Sequence, residues 1–152
     1  MQLRPHHLID IIRNIGLERP LEPHPYGHAQ HIITQSILDG TEKEFMLVCG
    51  ADDLCKPCRH LTPERICDDV LSQLEVPVRK QEYNDALDHR LLIFFGLQEG
   101  SIISLSDFLM LVESRFEAIL PLCLHPKEDP AGRREGLRKG LDRLLSLGEM
   151  KK

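Results

Sequence analysis

Four of the five cysteines in this chain of 152 residues lie within one stretch of nineteen residues. Cys55, Cys58 and Cys67 belong to the run CKPCRHLTPERIC, and Cys49 stands six residues before Cys55. A Cys-x-x-Cys turn brings two sulfurs to one point, and soft thiolates select zinc, copper(I) or iron–sulfur clusters. The spacing therefore predicts a fold in which this segment surrounds one metal ion or cluster.

The Cys-x-x-Cys spacing alone leaves several kinds of chemistry open. A redox dithiol of the thioredoxin kind opens a helix after a strand, whereas here a proline-containing loop follows Cys58, which disfavours disulfide exchange. Structural zinc would be held by a set of four thiolates, although a domain of this size has core enough without a metal. Free buried thiols without any ligand are the remaining interpretation.

Length and composition predict a single compact domain spanning residues 1–152. An apolar content of 41% and a mean hydropathy of -0.24 are ordinary, and no apolar run approaches the roughly 20 residues of a membrane span. The amino terminus lacks a secretory pattern, and an odd number of cysteines argues against a disulfide framework, so we expect a cytoplasmic protein. A net charge of -5 argues against nucleic acid as a partner.

Apolar periodicity predicts a mainly α fold with a short β element next to the cysteine loop. The first helix is expected from Pro5 to Gly16 with Leu8, Ile12 and Ile15 buried. The short apolar run EFMLVCG predicts a strand over residues 44–50. A second helix is expected to open at Pro25 and run toward Gly40.

Three more helices are expected after residue 61. Thr62, followed by proline and glutamate, resembles a helix start and would place Cys67 in the second turn. An apolar stripe over residues 83–94 predicts the next helix, and Ser104 with Asp107 resembles a capping box before another that runs to Leu120.

The last predicted helix carries a leucine stripe and a cluster of basic residues. Its basic side chains are best explained as its solvated face, with docking onto an acidic partner as the alternative. These basic residues are Arg133, Arg134, Arg138, Lys139 and Arg143.

The run LRPHHL at the amino terminus, with the later DDLCKPC and a further cysteine, resembles the prokaryotic domain-of-unknown-function family 1284. That family is described as iron–sulfur binding, so the resemblance implies a cluster of the 4Fe–4S type. In the family the histidine pair is followed on the same helix by a cysteine, where this chain has Asp10. The resemblance therefore implies that Asp10 is an oxygen ligand, that one iron is open, or that the metal has changed.

Several histidines and acids accompany the cysteines. Arg4, His6 and His7 are predicted to hold an anionic substrate or to donate protons beside the metal, with capping and core hydrogen bonds as the alternative. Three further histidines at positions 24, 28 and 31 would form one helical stripe, for which a polar face is favoured over an independent metal site. Adjacent acids at positions 52 and 53 suggest Asx-type turn bonding.

Together with the resemblance, these patterns predict an iron–sulfur protein of redox or sulfur-related metabolism. Its ligands would be Cys55, Cys58 and Cys67, with Cys49 and Asp10 as further candidates. Its partner would be a redox protein or a small-molecule substrate that binds at an open iron. The alternative is a zinc-binding interaction domain without catalytic activity.

Overall fold

In a computed structural model, which describes residues 1–150, the first helix begins and ends where the sequence predicts. Helix α1 (Pro5–Gly16) follows an extended residue and has proline at its first position, where a missing N–H costs nothing. Leu8, Ile12 and Ile15 are buried, which confirms the predicted apolar face. Ile9 and Ile11 are buried as well, so α1 lies inside the fold rather than on its surface.

Residues 1–150 contain five more helices and five short strands, which confirms the mainly α prediction. The helices are α2 (Gln30–Asp39), α3 (Lys80–Phe95), α4 (Leu105–Ser114), α5 (Phe116–Cys123) and α6 (Pro130–Met150). The strands are β1 (Gln2–Leu3), β2 (Glu44–Leu47), β3 (Val70–Leu71), β4 (Val78–Arg79) and β5 (Ile102–Ser104). Within residues 1–150, no helix combines the length and the apolar character that crossing a membrane requires.

Strand β2 is the centre of a three-stranded sheet, with β1 parallel on one side and β5 antiparallel on the other. The predicted strand is confirmed for its first four residues, where Phe45 and Leu47 point into the core. Strands β3 and β4 form a separate two-stranded ladder. Because β1 directly precedes α1, the sheet fixes where that helix begins.

Helices α1 and α6 pack with their backbones almost in contact. Leu137, Leu141 and Leu144 of α6 are buried, as the predicted leucine stripe requires. Glycine makes the close approach possible, because a Cβ on Gly16 or on Gly140 would overlap a backbone atom of the other helix. The position of α1 is thus fixed along its length by α6.

The prediction of a helix that begins at Thr62 is wrong. The Thr62 hydroxyl accepts a hydrogen bond from the N–H of Ile66, and the Thr62 N–H donates to the Ile66 carbonyl, so the chain turns back at once. Arg65 has a left-handed φ of 64°, which ends any helical turn. Cys67 therefore lies in a loop, where it forms a β-bridge with Leu61.

The predicted opening of the second helix at Pro25 is also wrong. Gly27 has a φ of 77°, and the N–H of Ala29 donates to the Leu54 carbonyl, so α2 begins only at Gln30. His31 is the one histidine of the predicted stripe that lies in α2. His24 and His28 precede the helix, where their rings stack with centroids 4.3 Å apart.

The last predictions about helices are partly confirmed. Ser104 caps α4 by accepting a hydrogen bond from the Asp107 N–H at 3.0 Å. The helix expected to reach Leu120 is divided by Arg115, which lies between α4 and α5. The solvated face predicted for the basic residues of α6 is wrong for Arg133, which is 1% exposed.

Candidate metal centre

A cavity of about 510 Å³ lies between α1, the start of α3 and the segment that carries the cysteines. We call residues 50–79 the cysteine loop. Seven of the eight predicted site residues line this cavity, although they come from two parts of the chain that lie at least 45 positions apart. They are Arg4, His6, His7, Asp10, Cys55, Cys58 and Cys67.

Backbone hydrogen bonds hold the three cysteines around the cavity. Asp52 accepts a bond from the Cys55 N–H at 3.0 Å, and the Cys58 N–H donates to the Cys55 carbonyl at 2.8 Å. The Cys67 N–H donates to the side chain of Gln81 in α3 at 2.8 Å. The predicted turn bonding of Asp52 is confirmed, and the turn carries Cys55 to the cavity wall.

Cys49 is placed differently from the other three cysteines of the cluster. It follows β2 and is not among the residues that line the cavity. Its Sγ lies 3.7 Å from Nδ1 of His89, and burial raises the pKa of its thiol to about 12. The surroundings of Cys49 are those of a partly buried core cysteine.

Arg4 and His6 share the buried carboxylate of Asp88 in α3. Asp88 accepts hydrogen bonds from Arg4 Nη1 and from the His6 N–H, each at 2.9 Å, and its carboxylate also lies 2.9 Å from His6 Nδ1. A second acid, Asp85, binds the same Arg4 nitrogen at 2.9 Å. The guanidinium of Arg4 is thereby neutralised in the cavity wall, while Nε2 of His6 stays outside this network.

His7 and Asp52 join α1 to the cysteine loop. Asp52 Oδ2 accepts the Arg4 N–H and lies 2.7 Å from His7 Nδ1. Burial acts to lower the pKa of His7, but the charge and hydrogen bond of Asp52 outweigh it and raise that pKa. A ring nitrogen of His7, a carboxylate oxygen of Asp52 and Sγ of Cys55 all lie within 4.8 Å of one another. Within residues 1–150, no other group of three or more potential ligand atoms lies this close together.

Asp10 lines the cavity as part of an ion-pair network. Its carboxylate accepts a hydrogen bond from Arg133 Nη2 at 2.9 Å and lies 2.8 Å from His125 Nε2. Burial by itself would raise the pKa of Asp10, but His125, Arg13 and Arg133 outweigh it and hold that pKa far below its usual range. Asp10 is thus an ionised carboxylate whose charge is compensated by His125, by Arg13 and by Arg133 of α6.

Two features of the lining bear on whether the donor set can hold a metal. Nε2 of His60 is buried and has no hydrogen-bond partner within the described residues 1–150, while its Nδ1 lies 2.8 Å from Asp68. Burial, strengthened by the charge of Asp52, raises the pKa of the Cys55 thiol to about 12. A bound cation reverses that shift because it stabilises the thiolate. Thiolates beside imidazoles suit zinc and iron.

We expect the stability of the protein to fall as the pH drops below about 4. Burial acts to raise the pKa values of Asp88 and Glu128, but their bonds to His6, Arg4 and Arg133 outweigh it and lower both from their ordinary 3.8 and 4.5. A carboxyl whose pKa is lower in the folded protein than in the unfolded one stabilises the fold at pH values above its unfolded-state pKa. That contribution is lost as the pH falls through the folded-state pKa. Urea unfolding at pH 7 and pH 3.5 measures the change, and equal stability at both would contradict it.

Sequence reasoning missed Asp88 and His125. Asp88 had a usable signal, because it stands three and four residues before Leu91 and Leu92 and therefore falls on the apolar face of its helix. A charged residue on such a face is buried with a partner. No local pattern marks His125, which reaches the cavity only because the turn before α6 packs against α1.

Comparison of the chain with protein-family models, with curated proteins and with solved structures gives no match.

Proposed function

We propose that the protein binds an iron–sulfur cluster of the 4Fe–4S type in this cavity, through Cys55, Cys58 and Cys67. The observation that supports the proposal is that all three cysteines line one cavity together with the histidine pair of α1. Thiolates are the usual ligands of such clusters. The resemblance of LRPHHL and DDLCKPC to a family described as iron–sulfur binding agrees with this assignment.

The three sulfurs are not as close together as one zinc ion would hold them. Zinc with Zn–S bonds of about 2.3 Å in a tetrahedron holds its sulfurs about 3.8 Å apart. Within residues 1–150, Cys55, Cys58 and Cys67 do not form a group with all three sulfurs inside 4.8 Å of one another. A cluster bonds each thiolate to a different iron, so it tolerates wider separation.

The cavity also has room and polar groups for a small molecule beside the metal. Lys80, Tyr83 and Asn84 of α3 line it together with His6. When bound, a cluster supplies either electron transfer or, at an iron without a thiolate, a Lewis acid. We therefore place the protein in redox or sulfur-related metabolism, with a redox protein or a small molecule as its partner.

Anaerobic purification followed by iron, sulfide and zinc analysis tests the proposal. Iron and sulfide in equal amounts, with visible absorbance that bleaches on reduction, are expected. A colourless protein with one zinc per chain would support the alternative, a zinc-binding domain without catalytic activity. A protein with neither metal would overturn both assignments.

We expect Cys58→Ser to lose nearly all bound metal, because the hydroxyl is a poor substitute for a thiolate and the Cys55–Cys58 turn presents both sulfurs together. Cys49→Ser is the matched control and should keep the wild-type metal content, because Cys49 lies outside the cavity. Metal analysis of both variants, with circular dichroism to check folding, measures the difference. Unchanged metal in Cys58→Ser would contradict the ligand assignment.

A further inference from the structure

A second cavity, of about 580 Å³, lies where the end of α1 and the start of α2 meet residues 17–29, the segment that joins them. None of the residues that line it is a cysteine, so what it binds does not depend on the function proposed above. From its hydrogen-bond donors we infer that this second cavity binds a small molecule through a phosphate group. The side chains that carry the inference are Arg19, His24, His28 and Arg143.

Two arginines of the second cavity have no acidic partner. Arg19 donates to the side-chain oxygen of Asn14 at 2.9 Å, which orients the guanidinium but leaves its charge uncompensated. Within residues 1–150, no carboxylate oxygen lies within 4.0 Å of a guanidinium nitrogen of Arg19 or Arg143, although Glu18 and Glu22 line the same cavity. Guanidinium groups bind phosphate oxygens through pairs of parallel N–H donors. Both arginines are therefore free to bind an anion.

The two glutamates oppose an anion only weakly. Glu18 and Glu22 are exposed, and repulsion between exposed charges is small in water and further screened by salt. Arg19, in contrast, lies in a positive environment: partial burial and then the charge of Arg13 lower its pKa. A phosphate group bound beside Arg19 would supply the missing counter-charge.

The two histidines add hydrogen-bond donors rather than metal ligands. Nδ1 of His24 accepts the Tyr26 N–H at 3.0 Å, and Nδ1 of His28 accepts the Gln30 N–H at 3.4 Å. A neutral imidazole has a single N–H, so in both rings Nε2 carries the hydrogen and can donate to a phosphate oxygen. Partial burial, strengthened by His24, lowers the pKa of His28 to about 4, so His28 is neutral at pH 7. A metal ion would need the lone pair that each backbone N–H already occupies.

Apolar residues indicate what else the ligand carries. Ile15 of α1 and Leu38 of α2 line the second cavity, together with Leu21 and the prolines at positions 20, 23 and 25. The volume falls within the roughly 300–1,000 Å³ of typical small-molecule sites, in which apolar walls surround a few polar groups. We therefore expect a ligand with an apolar or aromatic body attached to the phosphate, rather than inorganic phosphate alone.

Titration calorimetry of the full chain with phenyl phosphate tests the inference. Saturable binding of one molecule per chain is expected, with weaker binding of inorganic phosphate, which lacks the apolar body, and of phenol, which lacks the anion. Absence of saturable phenyl phosphate binding in the millimolar range would overturn the inference but not the proposed function. Absence of iron from the protein would overturn the proposed function but not the inference.

Variants locate the bound phosphate group. Arg19→Gln should weaken phenyl phosphate binding about tenfold or more, because it removes charge-assisted hydrogen bonds, and Arg143→Gln should weaken it as well. Arg134→Gln is the matched control and should bind as the wild type does, since Arg134 is an exposed arginine that lines neither cavity. Lys80→Gln removes a cation from the thiol-lined cavity and should also leave binding unchanged. Unchanged affinity in Arg19→Gln, or an equal loss in either control, would overturn the inference.

Discussion

We expect Asp88→Asn to be less stable than the wild type by about 3–5 kcal/mol. The Asp88 side chain is 0% exposed and accepts from Arg4 and from both the backbone and the ring of His6. An asparagine in its place removes the negative charge and turns an N–H group toward donors. The guanidinium of Arg4, itself only 3% exposed, then loses its buried counter-ion.

A loss of this size is a large part of the roughly 5–15 kcal/mol that holds a typical domain together. Asp85→Asn is the matched control, because Asp85 binds the same Arg4 nitrogen at the same 2.9 Å but is 37% exposed. Its loss should stay below about 1 kcal/mol. Urea unfolding of the three proteins at pH 7 measures both effects. Equal stability of the two variants would show that burial of Asp88 does not matter.

The second large effect is expected at the crossing of α1 and α6. An alanine in place of a helical glycine normally stabilises a helix by up to about 1 kcal/mol. Gly140→Ala should instead destabilise the protein by about 3 kcal/mol, because the new Cβ would overlap the carbonyl oxygen of Ile12. The neighbour is backbone, so relief requires the two helices to move apart.

Gly148→Ala provides the control within the same helix. No heavy atom lies within 4 Å of the position that its Cβ would take, so the ordinary helix preference should prevail. We expect this variant to be as stable as the wild type or slightly more stable. Thermal unfolding of both variants decides the matter, and a Gly140→Ala protein that melts no lower than the wild type would contradict the close packing described for α1 and α6.

The sequence was most informative where the signal was local. Helix α1 was predicted with both of its ends, because Pro5 suits a first turn and the apolar residues repeat with helical spacing. The convergence of Cys55, Cys58 and Cys67 on one cavity followed from their crowding in the chain. Cys49 belongs to the same crowded stretch but does not line the cavity, because its position is set by β2 rather than by the cysteine loop.

Errors arose where contacts between distant segments decided the structure. Thr62 has the chemistry of a helix cap, yet its hydroxyl closes a turn on Ile66. Arg133 looked like one of several solvated basic residues, yet it is buried against Asp10, which lies 123 positions earlier in the chain. Neither partner can be read from neighbouring residues, since local propensity does not report on long-range pairing.

The same limit applied to the acids of the site. Asp52 was correctly predicted to shape a turn, but its bonds to Arg4 and His7 link segments 48 and 45 positions apart. These bonds make it the point at which α1 and the cysteine loop meet. A single carboxylate thereby has a local role that the sequence revealed and a long-range role that only the structure shows.

Because the backbones of α1 and α6 are almost in contact, the wall of the cavity formed by α1 is held more firmly than the wall formed by the cysteine loop. The wall that carries His6 and His7 is held by main-chain contact with α6, whereas the cysteine loop contains no helix and only two strands of two residues each. If a metal or cluster binds here, as proposed above, we expect the cysteine loop rather than α1 to adjust to its size.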